Sequence, residues 1–179
     1  MTMQSKAIIR DCTLEDAAAI AEIYNESITA GGATMDEEIK SEIFYKNLIN
    51  NFTKRETILI LEYEDGVAGW GIIKRYSDRG GYRFCCETAV YLRRHMTGRG
   101  FGSQIKLALI DRCKQFGYHH LVAKIFADNI PSIEYNKKLG YEVVGVQKEI
   151  GYKNNRWQDI VIMQLVLQDV PPVIPDKYK

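Results

Sequence analysis

The sequence predicts a mixed α/β domain built on a central sheet. Short apolar runs typical of strands recur along the chain, two stretches space their apolar side chains as helices do, and a glycine-rich turn joins a strand to a helix. The 179 residues, 46% hydrophobic and 26% charged, suit one compact domain. We expect it to span residues 1–168, with an extended tail over 169–179 that holds three of the four prolines.

The first half of the chain predicts a strand, two helices and three further strands. The run KAIIRDC is a strand, and Thr13 with Asp16 forms a capping pattern in front of the first helix. A break at Gly31-Gly32 precedes a second helix, which Asp36 is placed to cap. Three strands in a meander follow, in the runs TILILEY, VAGWGIIKRY and RFCCETAVYL.

The second half opens on the turn TGRGFG, which leads into a helix that ends near Gly117. A strand HHLVAKIFA comes next, then a short helix from Pro131 to Leu139. The runs YEVVGVQKEIGY and DIVIMQLVL are the closing strands, and the last is expected to end near Gln168. A helix therefore crosses over between the meander and the later strands.

Charge and cysteine content argue against several classes of function. Lys and Arg number 24 against 23 Asp and Glu, so the chain lacks the global field that would draw it to nucleic acid or to an anionic membrane. The four cysteines form no CxxC pair and no histidines stand at ligand spacing, which predicts no metal site and reduced thiols in or near the core. Residues 1–10 lack a signal-peptide core and no stretch approaches ~18 apolar residues, so we expect a cytoplasmic protein without a membrane span.

The glycine turn is the first candidate site. Gly98, Gly100 and Gly102 let the backbone turn tightly before a helix whose first amides are unpaired, which is an arrangement that can hold a phosphate, although glycines can also merely connect two elements. A Rossmann site would need an acidic residue about 20 positions later, where the next strand carries Lys124 instead. A P-loop would need Gly-Lys-Ser/Thr after the turn, which is absent. The diphosphate of another carrier is the remaining interpretation.

Three runs in the second half carry a family resemblance: ETAVYLRRHMTGRGFGSQIKLALI, DNIPSIEYNKKLGYEVVGV and EIGYKNNRWQDIVIMQ. They resemble the GNAT acetyltransferases, and more closely the phosphinothricin N-acetyltransferase-like branch. The opening IRDCTLEDAAAIAEIYNESI and the loop GGATMDEE resemble the same branch, so the similarity covers nearly the whole chain. It implies a GNAT fold, with a mostly antiparallel twisted sheet of about six or seven strands and about four flanking helices. It also implies acetyl-CoA as cosubstrate and a homodimer.

The resemblance assigns the cofactor residues. In the family, backbone amides of the glycine turn bind the diphosphate of coenzyme A, and the matching positions are Gly98, Arg99, Gly100, Phe101, Gly102 and Ser103. The preceding strand would pair with the pantetheine amides through Val90, Tyr91 and Leu92. Asn129 matches a pantetheine-side asparagine. Thr97 departs from the family's Arg or Gln, and we expect a modest effect because amides do the binding.

Glu87 is the predicted general base for the amine. It precedes the cofactor strand in an apolar sequence context, where burial would raise its pKa towards neutrality. A surface carboxylate or a structural ion pair is the alternative. The position of the family's acid, often tyrosine and usually histidine in this branch, holds Asn136. Asparagine can hydrogen-bond sulfur but is no acid, so the proton for the thiolate is left to water.

The predicted substrate contacts are Thr34, Arg75, Arg79, Tyr82 and Arg83, with Lys148 and Lys153 as further cations. Such a basic set can recognise a carboxylate and a second polar oxygen group, although each cation alone could be a solvated surface charge. This predicts N-acetylation of a small amino-acid-like amine such as phosphinothricin or methionine sulfone. Two alternatives stay open: acetylation of a polyamine or protein N-terminus, and a coenzyme-A-binding module without turnover.

Overall fold

The computed structural model describes residues 6–64 and 66–172. Within that part of the chain it shows a mixed α/β domain with seven strands and four α-helices, as predicted. The strands are β1 (Ile8–Asp11), β2 (Thr57–Tyr63), β3 (Gly66–Arg75), β4 (Cys85–Leu92), β5 (His120–Phe126), β6 (Glu142–Lys153) and β7 (Arg156–Val166). The helices are α1 (Ala17–Ala30), α2 (Glu42–Asn50), α3 (Phe101–Gln115) and α4 (Ile130–Lys138).

The strands form one sheet in the order β1-β2-β3-β4-β5-β7-β6. Every neighbouring pair is antiparallel except β4 and β5, which are parallel because α3 crosses over between them. The β4–β5 ladder covers only residues 85–87 and 120–122, although both strands continue. The strands therefore part after Glu87 and Val122, and residues 88–92 and 123–126 form the two arms of a fork.

Two apolar clusters cover the two faces of the sheet. Leu109 and Cys113 of α3 pack on one face with Cys86 of β4, and Ile20 and Ile23 of α1 pack on the other face. Successive side chains of a strand point to opposite faces. Positions 86, 88, 90 and 92 therefore face α3, whereas positions 87, 89 and 91 face the side of α1. Residues 87 and 88, although adjacent in the chain, serve different sides of the sheet.

Of the two helix caps predicted from the sequence, one is present in the structure and the other is not. Asp16 accepts a hydrogen bond from the Thr13 N–H at 2.7 Å and one short 3₁₀ turn precedes α1. The expectation that Asp36 caps the second helix is wrong, because α2 begins at residue 42 and Ser41 Oγ accepts from the Phe44 N–H at 3.1 Å. The chain before Ser41 is held away from a helix, since the Lys40 N–H donates to Asn25 Oδ1 at 2.8 Å.

The C-terminal end of the sheet leads into a turn. β7 ends at Val166, and the Val170 N–H donates to the Leu167 carbonyl at 3.2 Å. The predicted tail over 169–179 starts in this turn, and its part from residue 173 onward lies outside the described residues. Across residues 6–64 and 66–172, no helix has both the length and the apolar character that crossing a membrane requires.

Candidate active site

A small cavity of about 80 Å³ lies in the fork between β4 and β5. The predicted cofactor residues Val90, Tyr91 and Asn129 line it, together with Lys106 of α3 and Asn136 of α4. The edge of β4 that faces β5 leaves the ladder after residue 87, so its backbone groups can pair with an extended ligand as an added strand would. This edge fits the two amides of pantetheine.

The glycine turn lies where α3 begins. Gly98 and Gly100 have φ angles of +76° and +80°, in the left-handed region that favours glycine, and Gly100 is the N-cap of α3. A Cβ built on either residue would point into open space, so this side of the turn is accessible. The amides of residues 101–103 belong to the first helical turn, where no intrahelical acceptor exists. Together with the positive end of the helix dipole, they fit a diphosphate.

The turn and the fork are adjacent. A Cβ built on Gly102 would lie 3.7 Å from Leu92 Cδ1 and 3.7 Å from the Tyr135 ring, and Tyr135 also lines the fork cavity. The structure thus brings the predicted diphosphate residues, the end of β4 and α4 together. Arg99 lies apart from this contact, with its guanidinium 5.9 Å from the centre of the Tyr63 ring.

Glu87 points to the other face of the sheet, into an open cleft of about 1120 Å³. Its carboxylate accepts a hydrogen bond from Lys124 Nζ at 2.8 Å and lies 3.8 Å from Lys74 Nζ. Lys74 is directly opposite Glu87 on β3, and Lys124 projects from β5. The expectation of apolar surroundings is therefore wrong, because the side chains nearest the carboxylate are two lysines that come from the neighbouring strands. The side chain is about one-fifth exposed, at 21%.

A hydrogen-bonded loop over residues 34–36 forms another wall of this cleft. The Tyr24 hydroxyl lies 2.7 Å from Thr34 Oγ1 and donates to Asp36 Oδ2 at 2.6 Å. Burial, reinforced by the bond to Asp36, raises the pKa of Tyr24 to about 12. Lys153, which we expected to meet the substrate, is buried instead and donates to the carbonyls of Thr34 and Asp36 at 2.8 and 2.6 Å. It fixes the loop.

The predicted substrate residues fall into two groups. Thr34 and Tyr82 line the cleft, and the Tyr82 ring packs edge-on against Tyr76 with centroids 5.4 Å apart. Three arginines lie on the segment bordering the cleft but outside its lining: Arg75, Arg79 and Arg83. Arg75 pairs with Asp78 at 3.0 Å, and Arg83 Nη1 donates to the Gly80 carbonyl at 2.6 Å. Lys148 is paired with Asp159 at 2.7 Å.

Lys106 is the residue that the sequence interpretation missed. It is 1% exposed, and its Nζ donates to Thr88 Oγ1 at 2.6 Å. Burial lowers the pKa of Lys106 from 10.5 to about 7. Helical spacing could have predicted that Lys106 is buried, since position 106 shares a face with Gly102, Leu109 and Cys113, all of which are buried.

Asn136 stands in the fork cavity as the family position of the acid would suggest. It is 1% exposed, and its amide nitrogen donates to the Ser132 carbonyl at 2.8 Å. Its Oδ1 atom has no hydrogen-bond partner among the described residues.

Over the same part of the chain, no group of three or more His, Cys, Asp and Glu side chains is placed to hold a metal ion. All four cysteines are free thiols, and Cys86 and Cys113 are buried.

Comparisons with known proteins agree with this architecture. Residues 9–162 match the model of the acetyltransferase (GNAT) domain. An L-methionine sulfoximine/L-methionine sulfone acetyltransferase of Pseudomonas aeruginosa is 32% identical over 164 residues, which are 90% of this chain and 95% of that protein. An acetyltransferase from Salmonella typhimurium, solved with its cofactor acetyl-CoA, superposes with a TM-score of 0.89 at 28% identity, covering 96% of this chain and 99% of that one. A phosphinothricin acetyltransferase from Sinorhizobium meliloti in complex with acetyl-CoA gives 0.86 at 31% identity, covering 90% and 88%.

Proposed function

This chain belongs to the GNAT acetyltransferase family and is an acetyl-CoA-dependent N-acetyltransferase, and we propose that it acetylates the primary amine of a small amino-acid-like compound. The observation that carries the proposal is the fork, which connects a glycine turn suited to a diphosphate with a cleft that contains a carboxylate and two lysines. Relatives named for methionine sulfoximine, methionine sulfone and phosphinothricin support the substrate class.

Coenzyme A is held, in this proposal, by main-chain groups. The amides of Gly98, Arg99, Gly100, Phe101, Gly102 and Ser103 receive the diphosphate. The free edge at Val90, Tyr91 and Leu92 pairs with pantetheine, and Asn129 borders the same cavity. Acetyl-CoA supplies an acetyl group activated as a thioester, and the chain's task is to orient it towards the amine.

Glu87 is proposed as the general base that accepts the amine proton, directly or through one water. It lines the cleft at the last paired position before the strands part, so it lies next to the arm assigned to pantetheine. The lysines on either side hold the carboxylate in one orientation. They also make a purely structural ion pair the competing interpretation of Glu87.

The same lysines favour a substrate that carries an anionic group. Lys74 and Lys124 line the cleft together with Glu87 and Asp36, so this mixed set of charges suits a zwitterionic amino acid, whereas the two lysines would repel a polyamine. Thr34 and Tyr82 wall the cleft in this proposal, and Arg75, Arg79 and Arg83 would reach the substrate's carboxylate only from the border. An amino acid with a polar side chain suits this distribution of charge better than a spermidine-like amine does.

The test measures acetyl-CoA-dependent thiol release with methionine sulfone, methionine sulfoximine, phosphinothricin, common amino acids and spermidine. Wild type is expected to turn over the amino-acid analogues, and Glu87→Gln to lower kcat by about 10²–10⁴-fold. Glu134→Gln is the matched control, since Glu134 pairs with Lys137 at 2.9 Å on the exposed side of α4. Turnover independent of Glu87 removes the base assignment. Thermal stabilisation by coenzyme A without turnover of any amine would instead support a binding module.

We also propose a homodimer in the cytoplasm. The edge strand β6 exposes Val143, Val146, Ile150 and Tyr152, and monomers rarely leave such an apolar row on a sheet edge uncovered. Four free thiols suit a reducing compartment. Light scattering on the eluting protein should give about twice the 20.5 kDa of one chain. A single 20.5 kDa species at micromolar concentration would contradict the dimer.

A further inference from the structure

A buried amine lies in the fork cavity on the side opposite Glu87. Lys106 reaches this cavity from α3, and its Nζ donates to Thr88 Oγ1 at 2.6 Å. Thr88 is the first residue of β4 after the two strands part. Its Nζ also lies 4.7 Å from the centre of the Tyr141 ring. The ion pairs found among the described residues do not include Lys106. A leucine or methionine would fill this position without the desolvation penalty of an amine.

The groups that face this amine are neutral hydrogen-bonding and apolar side chains. Thr88 and Cys86 come from β4, Cys113 from α3 itself, Tyr141 from the residue before β6, and Tyr135 with Asn136 from α4. Burial raises the pKa of Tyr141 and of Cys86, so neither is an anion that could pair with Lys106. The charged groups nearby are Glu87, at the adjacent position of β4, and Lys124 of β5, which also lines the cavity. Their side chains pair with each other at 2.8 Å on the other face of the sheet.

We propose that Lys106 is the general acid that gives a proton to the coenzyme A sulfur as the acetyl group leaves it. This inference rests on the proposed function, because it places the thioester in the fork. It resolves the chemical gap at Asn136, which holds the family's acid position but has no proton of suitable acidity to give. Asn136 Oδ1, which has no hydrogen-bond partner among the described residues, is a buried acceptor that lines the same cavity as Lys106.

The proposed step balances in atoms and charge. The amine nitrogen forms its bond to the acetyl carbon while the carbon–sulfur bond breaks, and the electron pair of that bond stays on sulfur. Glu87 takes the proton that the amine loses, and Lys106 gives one to sulfur. Lys106 is left as a neutral amine, Glu87 as a carboxylic acid, and exchange with solvent after product release restores both.

The acidity of Lys106 suits this task. An ammonium with a pKa of about 7 is a stronger acid than a thiol with an ordinary pKa near 8.5, so the transfer is favourable by roughly 30-fold. An exposed lysine with an ordinary pKa would be about 100-fold on the unfavourable side. Because an acid works best when its pKa lies near the operating pH, burial converts this lysine from a poor acid into a useful one.

The test compares wild type, Lys106→Met and the matched control Lys114→Met, which alters an exposed lysine of the same helix. Lys106→Met is expected to bind coenzyme A with wild-type affinity but to lower kcat by about 10²-fold or more. Wild-type kcat should fall as pH rises above about 7, because the acid is lost, and this decline should be absent in Lys106→Met. In the free protein, the lysine Cε resonance that disappears in Lys106→Met should titrate near pH 7.

Two results would overturn the proposal while leaving acetyl transfer intact. One is a Lys106→Met enzyme whose kcat stays within about threefold of wild type with an unchanged pH profile. The other is a Lys106 resonance in the wild-type protein that titrates at the ordinary lysine pKa, a measurement that needs no variant activity. Absence of turnover in wild type with every amine would instead remove the proposed function itself, so the two failures are distinguishable.

Discussion

Adjacent positions of β4 bring two charged groups into opposite environments. Glu87 faces the open cleft, where Lys124 and Lys74 accompany its carboxylate and solvent reaches all three side chains. Lys106 meets Thr88 on the closed face, where the Thr88 hydroxyl is its close partner and 1% of its surface is exposed. Charges on the open face are partnered and contribute little to stability, whereas the amine on the closed face destabilises the fold. The difference suggests that Lys106 is kept for chemistry.

The strongest test of this contrast compares how the free energy of unfolding depends on pH in wild type and in Lys106→Met. The pKa of Lys106 is lowered on folding, from 10.5 to about 7, so the unfolded chain binds the proton more tightly between these values. The wild-type free energy of unfolding should therefore gain a contribution from this group as pH rises from about 7 to 10. Near pH 7, Lys106→Met should be more stable than wild type by several kcal/mol, because each pKa unit corresponds to about 1.4 kcal/mol.

Urea denaturation of both proteins at about pH 7, 8.5 and 10 measures this effect. The difference between the two proteins should shrink steadily towards the highest pH, since folding of wild type releases the Lys106 proton and this release costs less as the pH approaches 10.5. Lys114→Met should follow wild type at every pH. A stability difference that stays constant with pH would mean that Lys106 keeps its proton in the fold, and the contrast with Glu87 would disappear.

The sequence predicted the elements that depend on local pattern. All seven strands follow from apolar runs, and the glycine turn before α3 follows from its three glycines. Local pattern does not predict contacts between distant segments. It places Asp36 at a helix cap, whereas Asp36 accepts from Tyr24, and it places Glu87 among apolar side chains, whereas Glu87 accepts from Lys124 of β5. Spacing along α3 predicts that Lys106 is buried, but only the fold shows that its ammonium group donates a hydrogen bond to Thr88.

A smaller effect is expected when the acceptor of Lys106 is removed. Thr88→Val keeps the shape of the side chain but deletes the hydroxyl, which also lies 3.2 Å from the Tyr141 hydroxyl. Leaving these buried groups unsatisfied should cost about 1–3 kcal/mol in unfolding free energy. The pKa of Lys106 should fall further, because the charged form loses its hydrogen bond, and the alkaline decline of kcat should move to lower pH.

The double variant Thr88→Val/Lys106→Met sharpens this prediction. If the hydroxyl stabilises the protein mainly through Lys106, Thr88→Val should cost clearly less in the Lys106→Met background than in wild type. Strictly additive effects of the two substitutions would show that the 2.6 Å contact carries little energy. The closed face would then resemble the open face in its energetics.

The smallest effect is expected on the open face, for Lys124→Met. This substitution removes the 2.8 Å ion pair with Glu87, but Lys124 is about half exposed and Lys74 remains beside the carboxylate. Exposed pairs contribute about 0–1 kcal/mol, so the unfolding free energy should change by less than about 1 kcal/mol, and less still in high salt. Urea denaturation at low and high ionic strength measures it. A loss of several kcal/mol would mean that Glu87 is held in a structural ion pair, and this would favour that interpretation of the carboxylate over its proposed role as the base.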